Sequence, residues 1–213
     1  MTHHNNATNV STATDPWADI RPFMDHEVAD VLARLSRDNE LLDALTRFRL
    51  PRLARWAPSL ARGFASRAVR REVKGVTSIY EFQMRIAHYM ERMIRTTTDE
   101  FEVTGLDKLD PKGAYLFIGN HRDISLDPAF VNYALYQANR DTVRIAIGDN
   151  LLKKPYVTDL MRLNKSFIVP RSARGKRAML AAYQQLSAYI RHTITEDQHS
   201  IWMAQREGRA KNG

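Results

Sequence analysis

The sequence predicts an α/β domain, a mixed sheet with covering helices, preceded by a helical N-terminal extension. Two observations predict it. Up to about residue 98, apolar residues recur at helical spacing. Beyond it, short runs rich in β-branched and aromatic residues alternate with helical patterns, the texture of a layered α/β fold. The 213 residues suffice for one substantial domain with an extension, and no internal repeat divides them. The expected organisation is a disordered terminus over 1–20, a helical region over 21–98 and the α/β domain over 99–213.

The elements follow in chain order. The opening MTHHNNATNVSTAT is polar, lacks the apolar core of a secretory signal and reads as disordered. Asp25 is placed to cap a helix with Val28, Val31, Leu32 and Leu35 on one face. Leu41, Leu42 and Leu45 continue the pattern until Pro51 interrupts it. Ser78 and Glu81 have capping-box spacing and open a helix through Phe82, Ile86, Tyr89, Met90 and Met93.

After Thr98, FEVTG (101–105), AYLFIGN (114–120), VRIAIG (143–148), SFIVPR (166–171) and SIWMAQRE (200–207) read as strands. A helix is expected from Asp127 as cap and Pro128 as first helical residue, and a longer one over about 175–195.

Composition excludes some chemistry. There is no cysteine, so disulfides, thiolate catalysis and cysteine-bound zinc are ruled out. No run approaches the ~18 apolar residues of a membrane-spanning helix. The net charge of +8 implies an anionic partner. Between Arg47 and Lys74 stand nine basic residues and a single acid, Glu72, with Trp56, Leu60 and Phe64 interleaved at helical spacing. Such a segment suits either an anionic membrane surface or a solvated helix packed by its apolar stripe. Nucleic acid is not expected as a partner, because no recognition-helix, zinc or single-strand-binding motif accompanies the charge.

The stretch GNHRDISLDP (119–128) holds His-Arg-Asp, the opening of a kinase catalytic loop. A kinase needs a metal-binding asparagine five residues after that aspartate, where this chain has Pro128, and a later Asp-Phe-Gly that is absent. The kinase reading fails. His121 instead stands at a strand-to-helix junction, where sites gather in α/β folds. A carboxylate beside its ring would fix the tautomer and stabilise the imidazolium formed when the other nitrogen takes a proton. His121 and Asp127 diverge on a continuous helix, so they meet only if the loop folds back. As a helix cap Asp127 already has a structural role, and the segment alone leaves both readings open.

Three segments in order resemble the glycerolipid acyltransferase family, which includes glycerol-3-phosphate and 1-acylglycerol-3-phosphate acyltransferases. GNHRDISLDP resembles the first motif, Asn-His-x4-Asp at a strand-to-helix junction; RLNKSFIVPRS (162–172) resembles the second, a strand running into an arginine; WMAQREGRAKNG (202–213) resembles the third, a strand leading into Glu-Gly and an arginine. The resemblance covers roughly residues 100 to 213.

That resemblance implies direct acyl transfer from acyl-CoA or acyl carrier protein to a hydroxyl of a glycerol phosphate or lysophospholipid, with no cofactor and no metal. It makes His121 the base and Asp127 its orienting carboxylate, with Asn120 and Arg122 among the substrate-binding residues. Arg171 would hold the acceptor phosphate, and Glu207, Gly208 and Arg209 would line the acceptor site. It further implies a cytoplasmic enzyme peripherally bound to the inner face of the membrane, and a fourth motif and closing helices that this chain lacks. The departures are specific. The family's aspartate falls where this chain has Leu126, Arg209 follows Glu-Gly without the usual intervening residue, and Asn164 and Lys165 stand where glycine precedes the second strand. A non-catalytic lipid-binding relative is therefore the alternative.

Overall fold

A computed structural model describes residues 15–120, 122–123 and 125–205. Five helices come first: α1 (Asp25–Leu35), α2 (Asn39–Arg49), α3 (Pro51–Trp56), α4 (Pro58–Glu72) and α5 (Ile79–Thr97). Strand β1 (Leu116–Gly119), helix α6 (Leu126–Gln137), β2 (Arg144–Gly148), α7 (Pro155–Leu163), β3 (Ser166–Val169), α8 (Lys176–Thr195) and β4 (Ile201–Ala204) follow. The expected α/β architecture with a helical N-terminal region is what the chain adopts.

The strands form one sheet in the order β1-β4-β2-β3, and every pairing among the described residues is parallel rather than mixed. Parallel neighbours need crossover helices, which α6, α7 and α8 supply. Register sorts side chains onto two faces. Ile201 and Phe167 share one face with Ala146 and Val169, covered by Tyr189, Leu186 and Ile190 of α8. Phe117, Trp202 and Ile145 share the other, packed against Leu135 and Val131 of α6.

The N-terminal helices are fastened to this layer through α7. Val28, Val31, Leu32 and Leu35, the stripe read from the sequence, pack with Val76, Ile79, Phe82 and the fully buried Leu163. Arg34 forks onto buried Asp159 with two bonds of 2.8 Å, a bidentate ion pair between α1 and α7.

Several expectations are corrected. Segment 101–105 is not a strand. Phe101 packs tilted against Phe130 and Tyr133 of α6, with ring centroids at 5.5 and 5.6 Å, so its ring is half-buried by helix packing rather than by strand pairing. Residues 15–20, expected within the disordered terminus, are packed: Trp17 and Ile20 join the α8-side core, and the Ile20 carbonyl accepts the Ile168 amide at 2.8 Å along the outer edge of β3. Asp25 does not cap α1, which starts after Met24; its carboxylate accepts the Ile79 amide at 2.8 Å, at the start of α5. Residues 1–14 lie outside the described residues.

The basic segment resolves into the end of α2, then α3 and α4, with Pro51 and Pro58 each at a first helical position, where their missing N–H costs nothing. Its apolar residues do not all turn inward. Ala61 and Ala65 are buried, but Phe48 is 86% exposed, Trp56 84%, Leu60 63% and Phe64 60%.

Candidate functional site

In a parallel sheet all strand C-termini lie at one end, and crevices for ligands form there. The segments bearing the three motif resemblances leave β1, β3 and β4, so the topology brings them to that one end.

Strand β1 ends at Gly119, where a Cβ would stand 3.1 Å from the indole Nε1 of Trp202. The glycine lets Trp202 pack beneath the strand end, and the Gln205 amide donates to the Gly119 carbonyl at 2.9 Å, extending the β1–β4 pairing by one bond. Asn120 and Arg122 follow on the exposed rim.

The loop then folds back, as a meeting of His121 and Asp127 requires. Helix α6 starts at Leu126 with Ser125 at the cap position, so Asp127 sits inside the first turn and is not the expected N-cap. Its Oδ2 instead accepts two backbone amides, from Arg122 at 2.7 Å and Asp123 at 3.0 Å. Asp123 reaches the other way, its Oδ1 accepting the amides of Ser125 and Leu126, each at 2.8 Å. Two carboxylates thus close the loop in opposite directions. Pro128, at the third helical position, removes an amide that no helical carbonyl could have served. Leu126, which occupies the position of the family's aspartate, is 38% exposed, whereas Asp127 is half-buried. His121 itself lies outside the described residues.

Arg171 follows β3, after Pro170. Its side chain crosses the end of the neighbouring strand: a Cβ on Gly148 would lie 3.1 Å from the Arg171 Cδ and 3.2 Å from its Nε. Since β2 is the inner neighbour of β3, the arginine is drawn toward the middle of the sheet, on the side of β4. Its main chain is held by Asp149, whose Oδ1 accepts the Arg171 amide at 3.1 Å. Asp149 also accepts the Ser172 amide at 3.1 Å and the Ser172 hydroxyl. Partial burial pushes the Asp149 carboxyl up, but the bonds from Ser172 and Arg171 outweigh it and hold the pKa below the usual value. Nothing in the sequence patterns singled out Asp149; an acid directly after a Gly-ended strand was the available signal. Glu207, Gly208 and Arg209 lie outside the described residues.

A second charged cluster lies at the other end of the sheet. Asp141, ahead of β2, pairs with Lys165 at 2.5 Å and with His199 Nδ1 at 3.1 Å, ahead of β3 and β4 respectively. Desolvation raises the Asp141 carboxyl, yet the His199 bond and the Lys165 charge prevail and hold it far below the usual range. Its position makes it a clasp across strand starts. Among the described residues no three of His, Cys, Asp and Glu are grouped as a metal site, and no helix is long and apolar enough to cross a membrane.

Comparison with known proteins gives one family. The model of the acyltransferase family matches residues 100–211, from just after α5 through the end of the sheet. A search of curated proteins finds no match.

Proposed function

The chain belongs to the acyltransferase family, and on that premise we propose that it moves a fatty acyl group from acyl-CoA or acyl carrier protein to a hydroxyl of glycerol-3-phosphate or 1-acylglycerol-3-phosphate, as a step of phospholipid synthesis. The observation that carries the reading is the convergence at one sheet end. Asp127 accepts the amides of Arg122 and Asp123 in the loop after β1, and Arg171 is laid across Gly148 at the same end of the sheet.

An alcohol is a poor nucleophile at neutral pH, so a base is required, an aid worth roughly 10²–10⁴-fold. In the proposed reaction His121 takes the proton of the acceptor hydroxyl as its oxygen attacks the thioester carbonyl carbon. The tetrahedral adduct collapses with rupture of the C–S bond, and the imidazolium returns the proton to the departing thiolate. Asp127 orients His121. The acceptor phosphate calls for planar, permanently charged donors, the role given to Arg171, with Glu207, Gly208 and Arg209 beside it. Asn120 and Arg122, on the exposed rim after β1, are given substrate-binding roles.

Room for the acyl chain is consistent with an apolar strip at the same end. Ile118 is 59% exposed on the sheet face that α8 covers elsewhere, and Met179, Leu180 and Tyr183 are exposed in the first turns of α8. A peripheral hold on an anionic membrane, at its cytoplasmic face, is consistent with Phe48, Trp56, Leu60 and Phe64 projecting from α2–α4 among arginines.

Product analysis tests the proposal. The purified chain, given acyl-CoA or acyl carrier protein, should acylate glycerol-3-phosphate or 1-acylglycerol-3-phosphate in preference to glycerol. Vesicle binding with no acyl transfer to either phosphorylated acceptor would favour the alternative, a lipid-binding relative; the two backbone amides that Asp127 Oδ2 accepts, a structural use of that atom, are what keep it in view.

A further inference from the structure

The pair Gly148-Asp149 at the end of β2 touches the second-motif loop directly. We propose that these two residues position Arg171 for the acceptor's phosphate, Gly148 by leaving space for its side chain and Asp149 by holding its main chain. This rests on the acyl-transfer reading and adds to it a positioning element on a strand that carries none of the three motifs.

Two independent contacts support it. The first is steric. Any Cβ at position 148 would meet the Arg171 Cδ and Nε at 3.1 and 3.2 Å, and the Asn150 Oδ1 at 2.4 Å. The φ of Gly148 is −69°, so the backbone there is open to any residue and space is what demands glycine. The second is electrostatic. Asp149 accepts from the amides of Arg171 and Ser172 and from the Ser172 hydroxyl, gathering three donors of one dipeptide onto one carboxylate. Pro170 restricts the chain just before this anchor. The loop after β3 is thereby tied to β2, and Arg171 leaves it over the strand end that faces the middle of the sheet.

An alternative is that Asp149 is only a loop anchor, or that its negative charge opposes a phosphate nearby. The two roles part company in a double-mutant cycle, because a residue acting through Arg171 has nothing to act on once Arg171 is gone. Glycerol-3-phosphate binding is measured by calorimetry on the full chain for wild type, Asp149→Ala, Gly148→Ala, Arg171→Ala and the two doubles with Arg171→Ala. KM values for acyl-CoA and for glycerol-3-phosphate are measured alongside. Asp149→Ala and Gly148→Ala should each weaken glycerol-3-phosphate binding roughly tenfold in the wild type and less than about twofold in the Arg171→Ala background. The KM for the phosphorylated acceptor should rise while that for acyl-CoA stays put. Ser172→Ala, which removes one of the three donors, should show the same pattern more weakly, and serves where Asp149→Ala does not fold.

Unchanged or tighter binding in Asp149→Ala or Ser172→Ala, or an equal fall with and without Arg171, overturns the proposal and leaves the acyl-transfer reading standing. A wild type that neither binds nor acylates glycerol-3-phosphate or 1-acylglycerol-3-phosphate overturns both.

Discussion

Asp127 Oδ2 accepts the backbone N–H of Arg122 at 2.7 Å, five residues back along the chain and immediately after His121. The bond turns a carboxylate on the first turn of α6 toward the loop that β1 delivers. Together with the Asp123 amide at 3.0 Å, it ties two consecutive amides of that loop to one oxygen.

The geometry makes Asp127 sensitive to the number of acceptors rather than to size. Asp127→Asn keeps one oxygen for the two amides but loses the charge that would face an imidazolium. The folded state should survive, with melting within a few degrees of wild type, and kcat should fall by at least about tenfold. Asp127→Ala should lower both. Circular dichroism melts and steady-state rates on the same preparations check this.

Acid should weaken the clasp at the far end of the sheet. The folded pKa of Asp141 is depressed, so the stability it contributes is present above the carboxyl's unfolded value near ~3.9 and is lost as pH falls through the folded one. Asp141 is more than half exposed by side-chain area, so solvent screening keeps the effect modest. Urea melts from about pH 6 to pH 3 should show Asp141→Asn losing less stability than wild type over that interval.

The join between the helical region and the sheet layer is a buried contact, and its loss should be global. Leu163 is fully buried among Val28, Val31, Leu32 and Ile79. Leu163→Ala should cost about 2–5 kcal/mol, since the site lies between α1, α5 and α7 and cannot collapse on one side alone. One cooperative denaturant transition, shifted to lower midpoint, is the expected record.

Membrane contact should depend on both charge and the exposed aromatics. Phe48 and Trp56 are each more than four-fifths exposed, and neither supports the core. The double variant Phe48→Ala, Trp56→Ala should melt like wild type yet bind anionic vesicles several-fold more weakly. Cosedimentation with neutral vesicles should be weak for both, and high salt should release the wild type.

What the sequence disclosed was governed by how local each interaction is. The stripe Val28, Val31, Leu32, Leu35 and the box of Ser78 and Glu81 depend on neighbours within two turns, and both are found as read; Ser78 Oγ accepts the Glu81 amide at 3.2 Å and Glu81 accepts the Ser78 amide at 3.2 Å. Asp25 was read as a cap for its own helix because its partner, Ile79, is 54 residues away. FEVTG carries strand-like alternation, but the aromatic surface of α6 captures Phe101 instead. Asp149 was invisible for a related reason. Its role exists only because β2 and β3 lie side by side in register, bringing Gly148 level with Val169, just before Pro170 and Arg171. The motifs mark residues at three strand ends; the parallel pairing places those ends on one side of the sheet.

The most direct measurement is the rate of thiol release from acyl-CoA in the presence of glycerol-3-phosphate or 1-acylglycerol-3-phosphate, for wild type and His121→Ala. The account predicts acceptor-dependent release by the wild type and a loss of at least about 10²-fold in the variant at unchanged folding. Equal rates in the two proteins would contradict general-base acyl transfer by this loop.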